Sequence, residues 1–262
     1  MKLNIQFINA FTDTLFKGNS AAVILLEQWL TDDLMQSIAT ENMLSETAFL
    51  IKLPDGRFHI RWFSPLTEID FCGHASLASA FVLFAKDENI SQLTFYAGAI
   101  GDFNIEMKDE FITMNFPSMM PEPVSHIPSE LLDGLSITPQ QVLKNNQAYF
   151  AVYDNEEDVI CVVQNAVKIK QLAPYDVVVT SPANDYDFVS RYFWPANGGD
   201  EDPVTGSIHA GLAPYWSSRL RVTSLMALQA SSRGGLIKCD VLPDRVLVSG
   251  KAVQYLNGFI EV

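Results

Sequence analysis

Apolar segments separated by short polar turns make up the first quarter of the chain. Leu3–Phe11 is rich in Ile and Phe, Phe16–Asn19 contains the Gly-Asn sequence of a turn, and Ala21–Leu26 is an unbroken apolar run. This pattern predicts a β-hairpin at the start of the fold. Thr47–Leu53 and Arg57–Phe63 are strand-like segments around the turn sequence Pro-Asp-Gly, and the second alternates as a strand with one buried face does.

Three segments have the spacing of helices. Thr31 can cap a helix over Asp32–Thr40, whose first turn carries two acidic residues where the helix dipole favours them. From His74 to Phe84, apolar residues recur at helical spacing and almost no charge appears, so this helix is expected to be buried nearly all round. Gly206–Trp216 is a second charge-poor segment of the same kind. These two segments predict one buried helix in each half of the chain.

The second half of the chain begins after a proline-rich segment. Prolines at positions 117, 121, 123 and 128 suit a linker better than a helix or a central strand. Strand-like segments follow at Ala148–Val152, Val159–Val163 and Tyr175–Thr180. We therefore predict an N-terminal half over residues 1–117 and a C-terminal half over residues 118–262.

A repeat relates the two halves. Arg61–Pro65 and Arg191–Pro195 each place an aromatic pair between an Arg and a later Pro, and they lie 130 residues apart, close to half the chain length. Each copy is followed by an acidic stretch and then by a glycine, Gly73 or Gly206, that opens an apolar helix. The repeat predicts a duplicated α+β fold, in which each half is a curved, mostly antiparallel sheet around one buried helix.

Composition and charge narrow the classes of partner. The chain has 17 Lys and Arg against 31 Asp and Glu, and its net charge of -14 disfavours nucleic acid and anionic lipid. Hydrophobic residues make up 48% of the chain and charged residues 18%, as in a folded protein with a substantial core. Apolar runs are too short for a membrane span, and polar residues interrupt any leader-like segment, so we expect a cytoplasmic protein. The cysteines have no paired spacing and indicate no disulfide framework; they are Cys72, Cys161 and Cys239.

Candidate proton-transfer groups lie in or beside these segments. Both predicted buried helices begin at a glycine, which leaves backbone N–H groups that can bind an anion such as a carboxylate. Binding alone catalyses nothing, and the chain offers Glu46, His74 and Asp202 as groups that can carry a proton. Taking a proton from carbon needs a group whose pKa lies near the working pH, which a carboxylate such as Glu46 reaches by burial away from water.

Six motifs in a fixed order carry a family resemblance. They are Phe16-Lys17-Gly18-Asn19, Ser45-Glu46-Thr47-Ala48-Phe49, Cys72-Gly73-His74-Ala75-Ser76-Leu77-Ala78, Asp202-Pro203-Val204-Thr205-Gly206-Ser207, Gln229-Ala230-Ser231-Ser232-Arg233-Gly234-Gly235 and Asp244-Arg245-Val246. With them the chain resembles the PhzF-like proteins, the phenazine-biosynthesis isomerase family, over essentially its whole length. The clearest departure is Ser20, where many members have a proline after Gly-Asn, and it touches only the hairpin turn.

The resemblance implies a diaminopimelate-epimerase-like fold of two pseudo-symmetric halves, with the active site in the cleft between them. It also implies a homodimer without a cofactor. The implied activity is that of an isomerase in which Glu46 is the acid/base that moves a proton between carbons of a small carboxylate substrate. By the same motif matching, His74 and Asp202 join Glu46 as catalytic residues. The implied substrate-binding residues are Ser45, Gly73, Gly206 and Ser207.

Two other functions remain open. One is a two-base epimerase or racemase of the same fold, which needs a cysteine before each helix glycine. Cys72 precedes Gly73, but Thr205 precedes Gly206, and a threonine hydroxyl is too weak an acid or base to replace a thiol near neutral pH. The other is a non-catalytic protein that binds a small carboxylate.

Two further roles for polar residues are disfavoured by the sequence. Glu68, Asp70, Cys72 and His74 would set a soft thiolate beside two hard carboxylates and match no common zinc spacing, so we expect no metal site. His209, on the second predicted buried helix, is expected to be a packed, hydrogen-bonded core histidine.

Overall fold

The computed structural model describes residues 1–262, and its secondary structure is a mixture of many strands and few helices. The elements up to the proline-rich segment are β1 (Lys2–Ala10), β2 (Asn19–Leu26), α1 (Asp32–Asn42), β3 (Glu46–Lys52), β4 (Phe58–Phe63), β5 (Glu68–Ile69), α2 (Gly73–Lys86), β6 (Gln92–Ala97), β7 (Gly101–Lys108) and β8 (Phe111–Pro117). The elements that follow are β9 (Glu122–Pro123), α3 (Ser129–Asp133), β10 (Gln141–Lys144), β11 (Ala148–Val152), α4 (Glu156–Cys161), α5 (Ala166–Ile169), a 3₁₀ turn (Lys170–Leu172), β12 (Asp176–Pro182), β13 (Phe188–Phe193), β14 (Glu201–Asp202), α6 (His209–Leu220), β15 (Ser224–Gln229), β16 (Gly235–Val241), β17 (Arg245–Gly250) and β18 (Ala252–Glu261).

The chain divides into two compact units. The first comprises Met1–Asn115 and Ser249–Val262, and the second comprises Phe116–Val248. The sequence assigns every residue after 117 to the second half, whereas the last strand belongs to the first unit. The physical reason is strand pairing, because β18 runs antiparallel to β1 from Ala252 opposite Ala10 to Glu261 opposite Lys2.

The sheet of the first unit mixes antiparallel and parallel neighbours. The hairpin predicted at the start of the fold is confirmed, because β1 and β2 pair antiparallel. Next, β2 pairs parallel with β3, β3 antiparallel with β4, and β4 antiparallel with the short β5. Finally β4 pairs parallel with β6, and β6 antiparallel with β7. The connection between β2 and β3 contains α1, as a parallel pair requires a crossover.

The second unit repeats this pattern of pairing. β10 and β11 are antiparallel, β11 and β12 parallel, β12 and β13 antiparallel, and β13 and the short β14 antiparallel. β13 then pairs parallel with β15, and β15 antiparallel with β16. Each strand pairing between β1 and β7, parallel or antiparallel, therefore has a counterpart of the same kind between β10 and β16. This is the topology expected of a duplicated fold.

The repeated arginines have the same structural role in both units. Arg61 on β4 makes a two-pronged contact with Glu68 on β5 at 2.6 and 2.7 Å. Arg191 on β13 makes the corresponding contact with Glu201 on β14 at 2.8 and 3.0 Å. The acidic stretch that follows each sequence copy thus supplies a paired carboxylate to the neighbouring strand, which explains why Arg recurs at this position.

Each unit contains one long, largely buried helix. In α2 the residues from Gly73 to Ala80 and from Val82 to Phe84 are buried, as the charge-poor pattern predicts. In α6 the residues from His209 to Trp216 are buried. The expected start of the second helix at Gly206 is three residues early, because residues 206–208 form a turn whose carbonyls accept from N–H groups three residues later.

The strand predicted over Val159–Val163 is wrong, since its first three residues end helix α4. Asn155 caps this helix, because its side-chain oxygen accepts from the backbone N–H of Asp158 at 2.9 Å. Three acidic residues occupy the first turn, where the helix dipole stabilises negative charge. These end effects outweigh the strand preference of the β-branched residues that follow. No helix of the chain is both long enough and apolar enough to span a lipid bilayer.

Candidate functional site

Glu46 and His74 form a buried contact in the first unit. Glu46 is the first residue of β3, and His74 is the second residue of α2. Their side chains are 9% and 7% exposed, and Oε2 of Glu46 lies 2.9 Å from Nε2 of His74. This carboxylate oxygen is buried, yet it has no aligned hydrogen bond. A buried carboxylate oxygen in this state is uncommon in folded proteins and makes Glu46 a candidate functional group.

Asn19 and Ser45 complete the polar surroundings of His74. Asn19 Nδ2 lies 3.1 Å from His74 Nδ1, and Asn19 Oδ1 accepts from the Ser45 hydroxyl at 3.1 Å. In this orientation Nδ1 is an acceptor, so the ring hydrogen is on Nε2, the nitrogen that lies 2.9 Å from Glu46 Oε2. If the Asn19 amide rotates by half a turn, its Oδ1 can accept from a protonated Nδ1 of His74. Its Nδ2 then donates to the Ser45 hydroxyl oxygen. The network therefore suits both protonation states of the ring.

Neighbouring charges hold a proton on His74. Burial by itself lowers the pKa of His74, but the Cys72 and Glu46 side chains outweigh burial and raise that pKa well above its usual range. The Glu46 carboxylate at 2.9 Å accounts for this direction, because an opposite charge this close favours the protonated ring.

Cys72 is a thiol in this environment. Burial, and after it the charge of Glu46, raises the pKa of Cys72 to about 11. The side chain therefore lacks the low pKa that makes a cysteine a base or a nucleophile near neutral pH.

The donor atoms of Glu46, Cys72 and His74 lie within 4.8 Å of one another, close enough to raise the question of a metal ion. Glu46 faces Nε2 of the ring, whereas Cys72 Sγ is 3.5 Å from Nδ1 and 3.9 Å from Nε2. An imidazole binds an ion through one nitrogen in the plane of the ring, and here the two other donors approach different nitrogens. The geometry fits an ion pair beside a thiol better than a shared metal centre.

The N-terminus of α2 has no side-chain cap. Cys72 is the capping residue, but its side chain makes no capping hydrogen bond, and no acidic residue lies in the first turn. The first N–H groups of a helix have no partner within the helix, and the helix dipole adds a positive potential there. The expectation that Gly73 begins this helix is met.

In the second unit, Asp202 belongs to a compact set of side-chain hydrogen bonds. The Thr205 hydroxyl donates to Asp202 Oδ2. Gln229 accepts from the Thr205 backbone N–H at 2.8 Å and donates to the Asp202 carbonyl at 2.9 Å. Gly206 and Ser207 follow in the turn before α6, and the Ser207 hydroxyl oxygen accepts from Gln147 at 2.9 Å. Asp202 and Ser207 are both half-buried.

His209 is the core histidine that the sequence predicts. It is fully buried, and Nδ1 lies 2.9 Å from the Thr205 carbonyl, so Nδ1 carries the ring hydrogen. Its Nε2 atom is buried without a partner. Burial lowers the pKa of His209 to about 4, against the opposing effect of the Thr205 carbonyl.

Within the first unit the structure brings together four of the predicted residues, namely Ser45, Glu46, Gly73 and His74. In the second unit Asp202, Gly206 and Ser207 lie in one short segment. Sequence reasoning missed the roles of Asn19, Gln147, Tyr192 and Asp176, which contact these residues directly or through one another. A signal for Asp176 exists, because it follows Glu46 by the same 130 residues that separate the repeated arginines.

A cavity of about 960 Å³ in the first unit is lined by residues at the other end of α2, including Leu83 and Lys86. Helix α2 rises about 1.5 Å per residue, which puts the lining residues Leu83 and Lys86 roughly 13 to 18 Å along the helix from His74. Chemistry, rather than cavity size, therefore identifies the candidate site.

Known proteins resemble the chain over its full length. Residues 8–258 match the family described as phenazine biosynthesis-like protein. An uncharacterised isomerase of Pseudomonas aeruginosa is 42% identical over 262 residues, covering 100% of both chains. The crystal structure of a PhzF-family protein from Enterococcus faecalis is 39% identical, covers 100% of both chains and superposes with a TM-score of 0.95.

A more distant solved structure confirms the expected fold class. A hydroxyproline epimerase from Agrobacterium vitis is only 10% identical but has a TM-score of 0.59, with 99% of this chain and 92% of that chain covered. The two pseudo-symmetric, diaminopimelate-epimerase-like halves expected from the sequence are thus the fold of this protein. The full-length match to the family and its relatives shows that the chain is an isomerase belonging to the phenazine biosynthesis-like, PhzF-type family.

Proposed function

We propose that this isomerase moves a proton between two carbons of a small carboxylate substrate, with Glu46 as the only acid/base. The observation that carries the proposal is the buried Oε2 of Glu46, which touches His74 at 2.9 Å without an aligned hydrogen bond. Because no aligned hydrogen bond holds this oxygen, the Glu46 carboxylate can take up a proton from carbon at little cost in broken hydrogen bonds.

The proposed reaction conserves every atom of the substrate. A C–H bond between the substrate carboxylate and a C=C double bond breaks and its proton moves to the Glu46 carboxylate. The electron pair is delocalised toward the substrate carboxylate, and Glu46 then returns the proton to a different carbon. His74, with its ring hydrogen toward Glu46, stabilises the carboxylate form before and after each transfer.

Substrate binding is assigned to groups that recognise anions. The uncapped N-terminus of α2 at Gly73 suits a carboxylate, and Ser45 is connected to His74 through Asn19. In the second unit Asp202, Gly206 and Ser207 stay predictions for substrate contact and support. The reaction as proposed needs no cofactor.

The test is solvent deuterium incorporation into a panel of carboxylates, namely vinylacetate, trans-3-hexenoate, itaconate and L-glutamate, followed by proton NMR. We expect incorporation at two carbons of at least one β,γ-unsaturated member. Glu46→Gln keeps the size and most hydrogen bonds of the side chain but cannot accept the proton, so incorporation should fall about 10²- to 10⁴-fold. Glu41→Gln, at an exposed position of α1, is the matched control and should exchange like the parent protein.

Two results would contradict the proposal. Equal incorporation by the parent protein and by Glu46→Gln would remove Glu46 from the reaction. Binding of carboxylates without incorporation into any of them would favour the non-catalytic alternative.

A further inference from the structure

Asp176 occupies in the second unit the position that Glu46 occupies in the first. Glu46 is the first residue of β3 and lies opposite Ala21 in the parallel pair of β2 and β3. Asp176 is the first residue of β12 and lies opposite Ala148 in the parallel pair of β11 and β12. The duplication has therefore retained a carboxylate at this position in both units, and the second one has no role in the proposed chemistry.

A chain of hydrogen bonds connects Asp176 to Ser207. The Tyr192 hydroxyl donates to Asp176 Oδ2 at 2.7 Å. Gln147 Nε2 donates to the Tyr192 hydroxyl oxygen at 3.1 Å and to the Ser207 hydroxyl oxygen at 2.9 Å. Ser207 follows Gly206 just as His74 follows Gly73, so the connection runs between the counterparts of Glu46 and His74.

The donors and acceptors of this chain of hydrogen bonds are fixed by the carboxylate of Asp176. Asp176 accepts at both oxygens, since Asn197 donates to its Oδ1 at 2.7 Å. A carboxylate has no hydrogen to give, so Tyr192 must donate to it and can only accept from Gln147. The amide nitrogen of Gln147 therefore faces both Tyr192 and Ser207. Ser207 in turn accepts, which leaves its own O–H hydrogen available for a group outside the chain.

The members of the chain are held in place and in their protonation states. Burial, together with the charge of Asp176, raises the pKa of Tyr192 well above its usual range, so this hydroxyl keeps its hydrogen. Burial also raises the pKa of Asp176, while the hydrogen bonds from Tyr192 and Asn197 act in the opposite direction. Asn145 accepts from the backbone N–H groups of Gln147 and Ala148 at 2.8 and 3.0 Å, which fixes the turn between β10 and β11.

We propose that Asp176, Tyr192 and Gln147 are positioning residues that present the Ser207 hydroxyl as a hydrogen-bond donor to an acceptor group of the substrate, such as a carboxylate oxygen. The proposal rests on the proposed function, because it assigns Ser207 to substrate binding. The second carboxylate of the duplicated fold then exchanges no proton with the substrate. Asp176 instead orients the neutral Ser207 hydroxyl as a donor. A hydrogen-bond acceptor of the substrate is therefore preferred over an ammonium group at this position.

The direction of the chain is tested on the ligand-free protein by NMR. At neutral pH we expect a slowly exchanging Tyr192 hydroxyl proton that correlates with Asp176, and a carboxyl ¹³C shift of Asp176 typical of the ionised form. Tyr192→Phe should abolish the proton signal. A protonated Asp176 at neutral pH, or a Tyr192 proton directed at Gln147, would overturn the proposal. This result does not depend on whether any carboxylate is turned over, so it separates failure of this proposal from failure of the proposed function.

The effect on binding is tested with the panel carboxylate that incorporates deuterium fastest. Gln147→Glu replaces the amide nitrogen by an acceptor, so Ser207 turns its hydrogen inward and KM should rise about 10- to 100-fold, with kcat changed by less than about threefold. Gln141→Glu is the matched control on β10, where the side chain accepts from Tyr215 and Arg219, and its KM should equal that of the parent protein.

A double variant decides whether Gln147 acts through Ser207. If it does, Gln147→Glu combined with Ser207→Ala should have the KM of Ser207→Ala alone. The proposal would be contradicted if the increases in KM caused by the two substitutions multiply in the double variant. A loss of kcat at unchanged KM would contradict it as well. Should Gln147→Glu fail to fold, Tyr192→Phe frees the amide of Gln147 and is expected to raise KM in the same direction.

Discussion

Replacing His209 should change how the stability of the protein depends on pH. His209 is fully buried, and its Nε2 atom has no partner, so a second ring proton would place an unpaired charge in the core. His209→Asn keeps a donor for the Thr205 carbonyl and removes the titrating ring. The smaller side chain should lower stability by an amount that is independent of pH, so the informative quantity is the difference between two pH values.

The expected magnitude follows from the pKa of the folded state. The pKa of His209 falls from an ordinary value of 6.5 to about 4 on folding. Between these values the unfolded chain binds more protons than the folded one, so stability is complete above the ordinary pKa and is lost as the pH falls toward 4. For a single titrating group with this pKa shift, the free energy of unfolding of the parent protein falls by about 2 kcal/mol between pH 7 and pH 5.

The assay is urea denaturation followed by far-ultraviolet circular dichroism at pH 7 and pH 5. The unfolding free energy of the parent protein should fall by about 2 kcal/mol more than that of His209→Asn over this interval. His126→Asn removes an exposed ring and should lose as much stability as the parent. If His209→Asn loses stability with pH as steeply as the parent does, the reasoning from its burial is refuted.

Two further predictions concern the neighbours of Glu46 and His74. Cys72→Ser should retain most of the deuterium incorporation, because burial holds the pKa of the thiol at about 11, and a loss greater than about 10²-fold would show that the Cys72 thiol takes part in proton transfer. Asn19→Leu, checked for folding by circular dichroism, should slow incorporation about 10-fold or more because His74 loses its Nδ1 partner, and an unchanged rate would show that this partner is dispensable.

Local sequence patterns, such as capping residues and hydrophobic periodicity, predict several elements of the fold. The start of α1 after Thr31, the hairpin of β1 and β2, and the burial of α2 all follow from local periodicity and capping. The repeated Arg61 and Arg191 identified the duplication, because each needs a carboxylate on the adjacent short strand. The error at Val159 arose where two local signals compete, namely β-branched residues and the cap at Asn155.

The contacts of the candidate site depend on strand register, which the sequence does not state. Glu46 was identified by its motif, but the motif does not show that Asn19, 55 residues before His74, supplies the partner of Nδ1. Asp176 shares no motif with Glu46. The separation of 130 residues hints at the correspondence, and the pairing of β11 with β12 establishes that the two are counterparts. The sequence repeat includes Tyr192 as one of its aromatic residues. Its contact with Asp176 depends on the alignment of β12 with β13.

The two units carry different groups at corresponding positions despite a common topology. At the position before the helix glycine, the first unit has Cys72, which holds its proton, and the second has Thr205, whose hydroxyl donates to Asp202. Neither group is available as a base, so the pair of opposed bases that a symmetrical epimerase needs is missing from both halves. The remaining buried oxygen without an aligned hydrogen bond among the candidate carboxylates is that of Glu46. In the proposed mechanism a proton taken up there is returned by the same side chain, and this asymmetry favours transfer between two carbons over inversion at one.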